Sequence, residues 1–232
     1  MAPITLDPEI VRRFCETGVP TVVDILDYEF GLRAAMAPAI KPLARARIAG
    51  RAVTVLIVPS PGRSAFDHLF AAVDACGPGR ILVVSNGGDT TVSCMGDLVV
   101  TGLHVRGAEG AVMDGAVRDI DPMLEMGFPI FAASVSPVNF TAKATVVGHE
   151  VPISCGGVAV NPGDVVLADW DGVVVIPQQL AEAVLEKSLE KEQAEQALRE
   201  RIRALAATTP LAQIFAKADH VYAGTEDTPS SE

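Results

Sequence analysis

The sequence predicts an α/β protein built around a parallel sheet, and two features of the chain lead to this prediction. Between residues 52 and 132, short runs rich in Val, Ile and Leu alternate with segments whose apolar residues recur at helical spacing. The links between them are short, which favours parallel strands joined by crossovers in one sheet. After Val146 the pattern changes to short β runs separated by tight turns. A β-rich layer is therefore expected to pack beside the parallel part.

The first part of the chain is predicted to begin with two short helices. They start at Pro8 and Pro20, and proline is tolerated in a first helical turn because the N–H groups there have no helical partner. Thr21 is the expected N-cap of the second helix. A β-branched run then ends at a turn beginning with Pro59, and a helical pattern ends near Gly77. The predicted elements are helices at 8–15, 20–28 and 64–76 and a strand at 52–58.

The middle of the chain shows the clearest alternation of strand and helix. Gly107 is the expected stop of one helix, because glycine readily adopts the left-handed conformation that ends helices. Asp114-Gly115 is expected to end a strand, and a short helix carrying Pro122 is expected to end at Gly127. The predicted elements are strands at 81–85, 111–113 and 129–132, a helix at 97–106 and this short helix.

The C-terminal part is predicted to contain tight turns, a long helical arm and a disordered tail. Glycine-containing turns are expected at 155–157, 161–164 and 171–172. Residues from Gln178 to about Ala207 form a highly charged run of strong helix formers. Its apolar stripe is expected to dock on a neighbouring subunit, and a helix folded back on its own subunit is the alternative. The stripe contains Leu185, Leu189, Leu198, Ile202 and Leu205. Residues 224–232 are expected to be disordered, and residues 1–232 to form one domain.

Composition narrows the function classes. The net charge of −11 argues against nucleic acid as a partner, because phosphate backbones attract basic surfaces. The four cysteines are widely spaced without a CxxC pair, which predicts free thiols rather than zinc ligands or disulfides. No apolar run approaches the roughly 18 residues that span a bilayer, and the first residues do not resemble a secretory signal. A cytoplasmic protein with no membrane partner is expected.

Two loops follow the carboxyl ends of neighbouring predicted strands, where parallel sheets bind ligands. One leads into the helix that starts at Gly96-Asp97-Leu98-Val99, and the other carries Arg118 and Asp119. The free N–H groups of a helix start can hold a carboxylate, and the Arg118 guanidinium can bind an oxyanion. Asp119 can ligate Mg²⁺, which needs only one or two protein carboxylates. These groups suit a small 2-oxo acid, although an Arg-Asp pair with this spacing alone is more often a helix cap beside a surface charge.

Twenty residues separate Asp97 from Arg118-Asp119. This string resembles the D-x20-R-D signature of the metal-dependent 4-hydroxy-4-methyl-2-oxoglutarate / 4-carboxy-4-hydroxy-2-oxoadipate aldolases, which share a fold with the regulators of ribonuclease activity A. The likeness runs from about Thr21 to the C-terminal helix. Other stretches that agree are Gly50–Val55, Arg106-Gly107, Asp114–Asp119, Gly127–Phe131, Ser154–Gly157, Asn161–Asp164 and Ala168–Val173.

The resemblance implies a β/β/α sandwich of the swivelling-domain type, with N-terminal helices and a long C-terminal helical arm, assembled as trimers or hexamers. It implies Mg²⁺ or Mn²⁺ held by Asp119, and Arg118 bound to the pyruvyl oxygen. Gly96, Asp97, Leu98 and Val99 would form the loop that holds the substrate carboxylate, with Asp97 also holding a metal-bound water.

The resemblance also implies a carboxylate supplied by the C-terminal helix of a neighbouring subunit, for which Glu192 and Glu195 are the candidates. For either glutamate alone, a solvated helix face is the alternative. The implied reaction breaks the C3–C4 bond of a 4-hydroxy-2-oxo acid after a base takes the proton from the 4-hydroxyl group. The pyruvate enolate is stabilised as its charge develops. Oxaloacetate decarboxylation would pass through the same enolate and is an expected side reaction.

Several alternatives stay open. The chain could instead bind and regulate an RNA-processing endonuclease, or act on a 2-oxo acid derived from a sugar acid. Lys143 could form a Schiff base, and Cys94 could be a nucleophile, although no histidine partner is identifiable for it. Gly87-Gly88-Asp89 lacks the spacing of a nucleotide loop and is expected to be a flexible loop at the substrate site. The four histidines have no common spacing, which favours surface or cap roles; they are His68, His104, His149 and His220.

Overall fold

The structure, a computed structural model, describes residues 6–62 and 64–216 of the 232-residue chain. The predicted tail at 224–232 and His220 lie outside the described residues. The helices are α1 (Pro8–Arg13), α2 (Val19–Phe30), α3 (Asp67–Ala75), α4 (Asp97–Arg106), α5 (Ile120–Met126), α6 (Ala181–Leu205) and α7 (Leu211–Phe215), with single 3-10 turns at Phe14–Glu16 and Gln178–Leu180. The strands are β1 (Lys41–Pro42), β2 (Ile48–Pro59), β3 (Arg80–Ser85), β4 (Ser93–Met95), β5 (Gly110–Val117), β6 (Ile130–Val135), β7 (Ala144–His149), β8 (Ile153–Cys155), β9 (Val158–Val160), β10 (Val165–Ala168) and β11 (Val173–Ile176).

A mixed sheet organises the fold. Its main path runs in the order β1-β6-β5-β3-β2-β10-β11, with β4 added beside β5 and β7 beside β2. The pairs β2–β3, β3–β5 and β5–β6 are parallel, which confirms the predicted α/β class. The two ends of the path approach each other, because Ala35 bridges Val174 of β11 shortly before the chain enters β1 on β6. The sheet is therefore nearly closed.

Three apolar clusters cover the two faces of the sheet. One face of the parallel strands packs against α3, α4 and α5 through residues such as Leu69, Leu103 and Met123. The opposite face encloses a second cluster that includes the β8–β9 hairpin. The third cluster joins α1, α2 and α6 to β10 and β11. This layering matches the β/β/α arrangement with N-terminal helices and a C-terminal helix.

Two sequence predictions about element ends are wrong. The N-cap of α2 is Gly18, and Thr21 lies inside the first turn, where its hydroxyl donates to Glu192 Oε1 at 2.6 Å. Strand β5 does not end at Asp114-Gly115 but continues to Val117. The strand can run through Asp114 because its buried carboxylate accepts a hydrogen bond from the backbone N–H of Asn86 at 2.9 Å. Strand β4, which pairs with the extended part of β5, was not predicted.

The C-terminal helix packs on its own subunit through its first half. Leu185 is buried and Leu189 is partly buried against the cluster formed with α1 and α2. Leu198 is also buried, whereas Leu205 is 38% exposed. The expected stripe is thus largely covered within the chain, as in the alternative of a helix folded back on its own subunit. Within the described residues, no helix has the length and apolar character needed to cross a membrane.

Candidate active site

The unpredicted strand β4 brings the two candidate loops together. It pairs with the end of β5 through Ser93 opposite Ala116 and Met95 opposite Val117. The backbone N–H of Arg118 then donates to the carbonyl oxygen of Met95 at 3.1 Å. Gly96, the next residue, is held beside Arg118 at the carboxyl edge of the parallel strands. The predicted proximity of the Gly96–Val99 segment to Arg118 and Asp119 follows from this pairing.

Arg118 and Asp119 meet in a space that Gly96 leaves open. Asp119 has a φ of 61° in the left-handed region, which aspartate tolerates better than most residues. Its Oδ2 atom lies 3.4 Å from Arg118 Nε, and both side chains are partly exposed. A Cβ atom at Gly96 would lie 2.6 Å from Asp119 Oδ2 and 3.2 Å from Arg118 Nε. Only glycine therefore fits without displacing the charged pair.

The start of α4 supplies hydrogen-bond donors on the same side. Gly96 is the N-cap in an extended conformation, and no side chain in the described part of the protein caps this helix start. The first helical N–H groups, at Asp97, Leu98 and Val99, can therefore serve a ligand carboxylate. The Leu98 side chain is 82% exposed, so this helix start faces solvent and a ligand can reach it. Asp97 is half-buried and lines the same pocket as Arg118.

A pocket of about 140 Å³ extends from this cluster. Beyond Arg118 and Asp97, its walls are largely apolar, with Phe66, Leu69 and Phe140 among them. The pocket combines one guanidinium, a helix start and an apolar wall. Such a site can hold the carboxylate and oxo group of a small acid at one end and a carbon substituent at the other.

Asp114, for which no role was predicted, holds the start of the loop after β3. Its carboxylate accepts from the backbone N–H of Asn86 at 2.9 Å and from the Ser85 hydroxyl at 3.2 Å, and it is almost fully buried. A Cβ atom at Gly115 would lie 2.6 Å from the Asn86 amide group and from Cys94 Sγ. The sequence did contain a signal for Asp114, because it is an aspartate within the otherwise apolar strand β5. A buried carboxylate needs hydrogen-bond donors around it.

The residues present fit a magnesium-like ion better than a zinc-like one. Asp119 offers one partly exposed carboxylate, and Mg²⁺ commonly binds through one or two carboxylates while keeping several waters. Over residues 6–62 and 64–216, no group of three or more His, Cys, Asp or Glu side chains could together hold a metal ion. A hard ion held by Asp119, water and substrate oxygens is compatible with this arrangement.

The two C-terminal glutamates lie away from Asp119 in the same chain. Glu192 Oε1 accepts from the backbone N–H of Gly18 at 3.1 Å, at the start of α2. Glu195 pairs with Arg199 at 2.6 Å. The start of α2 is also bonded to Asp169, which follows β10 where that strand meets the first residue of β2. This is the edge opposite Asp119, so a contribution to the site from either glutamate requires another copy of the chain.

The other candidates have local explanations. Burial, with a smaller effect of Asp114, raises the pKa of the Cys94 thiol to about 12, which favours a packed thiol over a nucleophile. Lys143 is exposed and donates to the carbonyl oxygen of Asn139 at 3.2 Å, unlike the desolvated lysines of Schiff-base enzymes. His68 and His149 contact each other, with their Nδ1 atoms 2.9 Å apart. The four cysteines are free thiols, as predicted.

Comparison with known proteins identifies the family and the fold. A family model described as "RraA-like: Aldolase/RraA" matches residues 19–175. A protein of Halalkalibacterium halodurans, provisionally named a 4-hydroxy-4-methyl-2-oxoglutarate aldolase, is 38% identical over 70% of this chain and 75% of its own length.

Two solved structures share the fold. One is Streptomyces coelicolor RraAS2, described as an unusual member of the RNase ES inhibitor RraA protein family, with a TM-score of 0.79 and 31% identity over 84% of this chain and 99% of that chain. The other is a protein of Pseudomonas syringae with a TM-score of 0.79 and 25% identity over 91% of this chain and 99% of that chain. With the family model covering most of the sequence, the chain belongs to the RraA-like (Aldolase/RraA) family.

Proposed function

We propose that this protein is a divalent-metal-dependent aldolase that cleaves a 4-hydroxy-2-oxo acid to pyruvate and a second oxo acid. The observation that carries the proposal is the meeting of Arg118 and Asp119 over Gly96, beside the open start of α4. A guanidinium, a carboxylate and free helical N–H groups are the complement of a 2-oxo acid with its metal. The naming of the Halalkalibacterium relative as an aldolase supports the same reaction class.

Each protein group has a distinct role in this proposal. The N–H groups at the start of α4 bind the substrate carboxylate, and the Arg118 guanidinium binds the C2 oxygen. Negative charge develops on that oxygen as the C3–C4 bond breaks, so a donor fixed there lowers the barrier. Asp97 orients the water that takes the proton from the 4-hydroxyl group. The apolar wall with Phe66 and Phe140 receives an apolar substituent on C4, such as a methyl group.

A divalent ion, Mg²⁺ or Mn²⁺, would be held by Asp119 and would supply Lewis-acid stabilisation of charge on the carbonyl oxygen. Loss of CO₂ from oxaloacetate places charge on the same atom, so decarboxylase activity is part of the proposal. Assembly into trimers or hexamers, with Glu192 or Glu195 of one copy near Asp119 of another, is also proposed. The free cysteines fit a reducing compartment such as the cytoplasm.

Pyruvate release from a panel of 4-hydroxy-2-oxo acids tests the reaction and its cofactor. The panel includes di- and tricarboxylic substrates and a sugar-acid-derived 2-oxo acid, each assayed with Mg²⁺, with Mn²⁺ and with excess chelator. Chelator should abolish pyruvate release and either metal should restore it. Activity in excess chelator, together with borohydride trapping of pyruvate on Lys143, would establish Schiff-base chemistry instead.

The likeness to RraAS2 supports a second candidate, inhibition of an RNA-processing endonuclease. A binding role of this kind uses the outer surface and needs neither Asp119 nor a metal. Inhibition of such a nuclease by wild type and by Asp119→Ala to the same extent, with no pyruvate released from any panel substrate, would favour this second function over the aldolase.

A further inference from the structure

Two histidines meet where helix α3 packs on strand β7, and neither lines the candidate active-site pocket. We propose that His68 and His149 form a binding site for a divalent transition-metal ion that favours imidazole ligands, Ni²⁺ or Cu²⁺. This site is separate from the magnesium-like site proposed at Asp119. The proposal does not depend on the aldolase activity.

The two imidazole rings present nitrogens to each other. Their Nδ1 atoms are 2.9 Å apart, and the ring centroids are 5.2 Å apart at an interplanar angle of 44°. In this contact one Nδ1 carries a hydrogen atom and the other accepts it. When the donor ring moves its N–H to Nε2, each Nδ1 offers a lone pair and the two rings stay neutral. Neutral imidazole is the commonest protein ligand of metals.

The distance between the two nitrogens indicates which ions fit. For the 2.9 Å separation, an ion about 2.05 Å from both nitrogens, the usual metal–imidazole distance, would bind them at an angle of about 90°. This is the angle between neighbouring ligands in tetragonal Ni²⁺ and Cu²⁺ complexes, whereas tetrahedral Zn²⁺ would need the nitrogens about 3.3 Å apart. Rotation of the rings turns both lone pairs toward such an ion, and the exposed position of His68 permits it.

A β-bulge places His149 on the side of the sheet that faces α3. Val146 of β7 pairs with Ile57 of β2. Three residues later, His149 pairs with Val55, two residues before Ile57, because the register shifts in between. Val55 and Ile57 both pack into the apolar cluster beneath α3, so His149 points to the same side. Re-aiming a side chain in this way is a common role of bulges.

The backbone around the two histidines fixes the spacing of α3 and β7. The N–H of Ala65, just before α3, donates to Thr145 Oγ1 at 3.0 Å. The N–H of Val146 donates to the Ala65 carbonyl oxygen at 3.4 Å. His68 follows within one helical turn, next to buried Leu69. Ligands that are held in place before an ion arrives lose little freedom when it binds.

The two rings are engaged only with each other in the part of the chain that the structure describes. Each has the other ring as its hydrogen-bond partner, and neither forms an ion pair there. Over residues 6–62 and 64–216, no third His, Cys, Asp or Glu completes a metal-binding group. Water or an external ligand would therefore fill the other coordination positions. Exposed Asp67 and Glu150, the sequence neighbours of the two histidines, add negative charge that attracts cations.

The test compares Ni²⁺ binding by the full chain and by histidine variants. Excess Mg²⁺ is kept present to occupy the site proposed at Asp119, at a slightly alkaline pH where imidazole is neutral. Ni²⁺ is titrated by calorimetry, and the Tm is measured with and without Ni²⁺. His68→Gln removes one proposed ligand at an exposed position. His104→Gln is the matched control, because His104 is also exposed on a helix but contacts the ring of Phe128.

We expect His68→Gln to bind Ni²⁺ at least about tenfold more weakly than wild type and His104→Gln. Loss of a residue that merely orients a metal ligand already costs roughly 10–100-fold in affinity. Ni²⁺ should raise the Tm of wild type and of the control but not that of His68→Gln, because an ion that binds only the folded state stabilises it. His149→Gln removes the other ligand and should behave like His68→Gln; if one of the two does not fold, the other decides.

Two results would overturn the proposal. One is equal Ni²⁺ affinity in wild type and in the folded His68 or His149 variant, which would place the ion on other groups. The other is the absence of any Tm increase of wild type with Ni²⁺ above that with Mg²⁺ alone.

Discussion

The two edges of the parallel sheet carry charge in opposite ways. At the carboxyl edge, Arg118 and Asp119 are partly exposed and meet beside a glycine and an uncapped helix start. At the amino edge, the carboxylates of Asp169 and Glu192 are used to cap α2. The first edge leaves donors and acceptors accessible to solvent, whereas Asp169 and Glu192 at the second edge stabilise the start of α2.

This contrast predicts different consequences of substitution. Changes at the carboxyl edge should reduce turnover and leave folding stability nearly unchanged, since partly exposed side chains leave no core cavity when truncated. Removal of the Asp169 carboxylate at the amino edge should reduce stability and leave turnover unchanged, whereas Glu192 is also proposed to serve the site of a neighbouring copy. Each variant below is therefore measured for both kcat/KM and the free energy of unfolding.

Gly96→Ala should strongly reduce turnover without removing either charged side chain. The added methyl group would lie 2.6 Å from Asp119 Oδ2, so the carboxylate must move out of its place beside Arg118. We expect kcat/KM for pyruvate release to fall by about 10²-fold, as for misplacement of a catalytic group, with little change in Tm. Gly77→Ala is the control, because among the described residues its Cβ atom would meet only the Arg106 carbonyl oxygen, at 3.7 Å. Full activity in Gly96→Ala would show that the charged pair need not occupy this space.

Asp169→Ala should give the largest loss of stability at the amino edge. The buried carboxylate accepts from the backbone N–H groups of Val19 at 3.1 Å and Asp171 at 2.9 Å, and it lies 3.5 Å from Arg47. Leaving these donors unpaired should lower the free energy of unfolding by about 1–3 kcal/mol. Chemical denaturation measures this change. A large loss of kcat/KM in the folded variant would contradict the separation of the two edges.

The smallest effects on stability should come from single substitutions of the two C-terminal glutamates. Glu192→Ala should cost about 1 kcal/mol through lost capping of α2. Glu195→Ala removes a solvent-facing ion pair with Arg199 and should cost less than about 0.5 kcal/mol. Denaturation curves of the two variants provide the comparison.

A complementation assay tests whether these glutamates also serve a neighbour. If they do, Asp119→Ala chains mixed with Glu192/Glu195 double-alanine chains should regain partial activity once subunits exchange. No recovery despite demonstrated exchange would leave both glutamates with structural roles inside their own subunit.

The helices and the parallel strands were predictable because their signals are local. The end of α4 (Asp97–Arg106) at Gly107 follows from the preference of glycine for the left-handed conformation. The proximity of the Gly96 loop to Arg118 followed from the general rule for parallel strands. These features require no knowledge of which distant residues touch.

The errors arose where distant partners decide the structure. Thr21 has the residue type of an N-cap, but Gly18 takes that place because Glu192 and Asp169 bind the start of α2 from far along the chain. The continuation of β5 past Asp114 depends on hydrogen bonds to Asn86 and Ser85. The contact between His68 and His149 was likewise not identified, because strand register is set by tertiary packing.

The rate of pyruvate release by wild type, Asp119→Ala and Arg118→Ala, measured side by side on the best panel substrate with saturating metal, tests the central claim most directly. If the carboxyl edge is the active site, each variant should lose at least about 10²-fold in kcat/KM, the usual cost of removing an electrostatic catalytic group, while its Tm stays close to that of wild type. Near-normal turnover in either variant would contradict the role assigned to that residue. Near-normal turnover in both would place the active site elsewhere in the molecule.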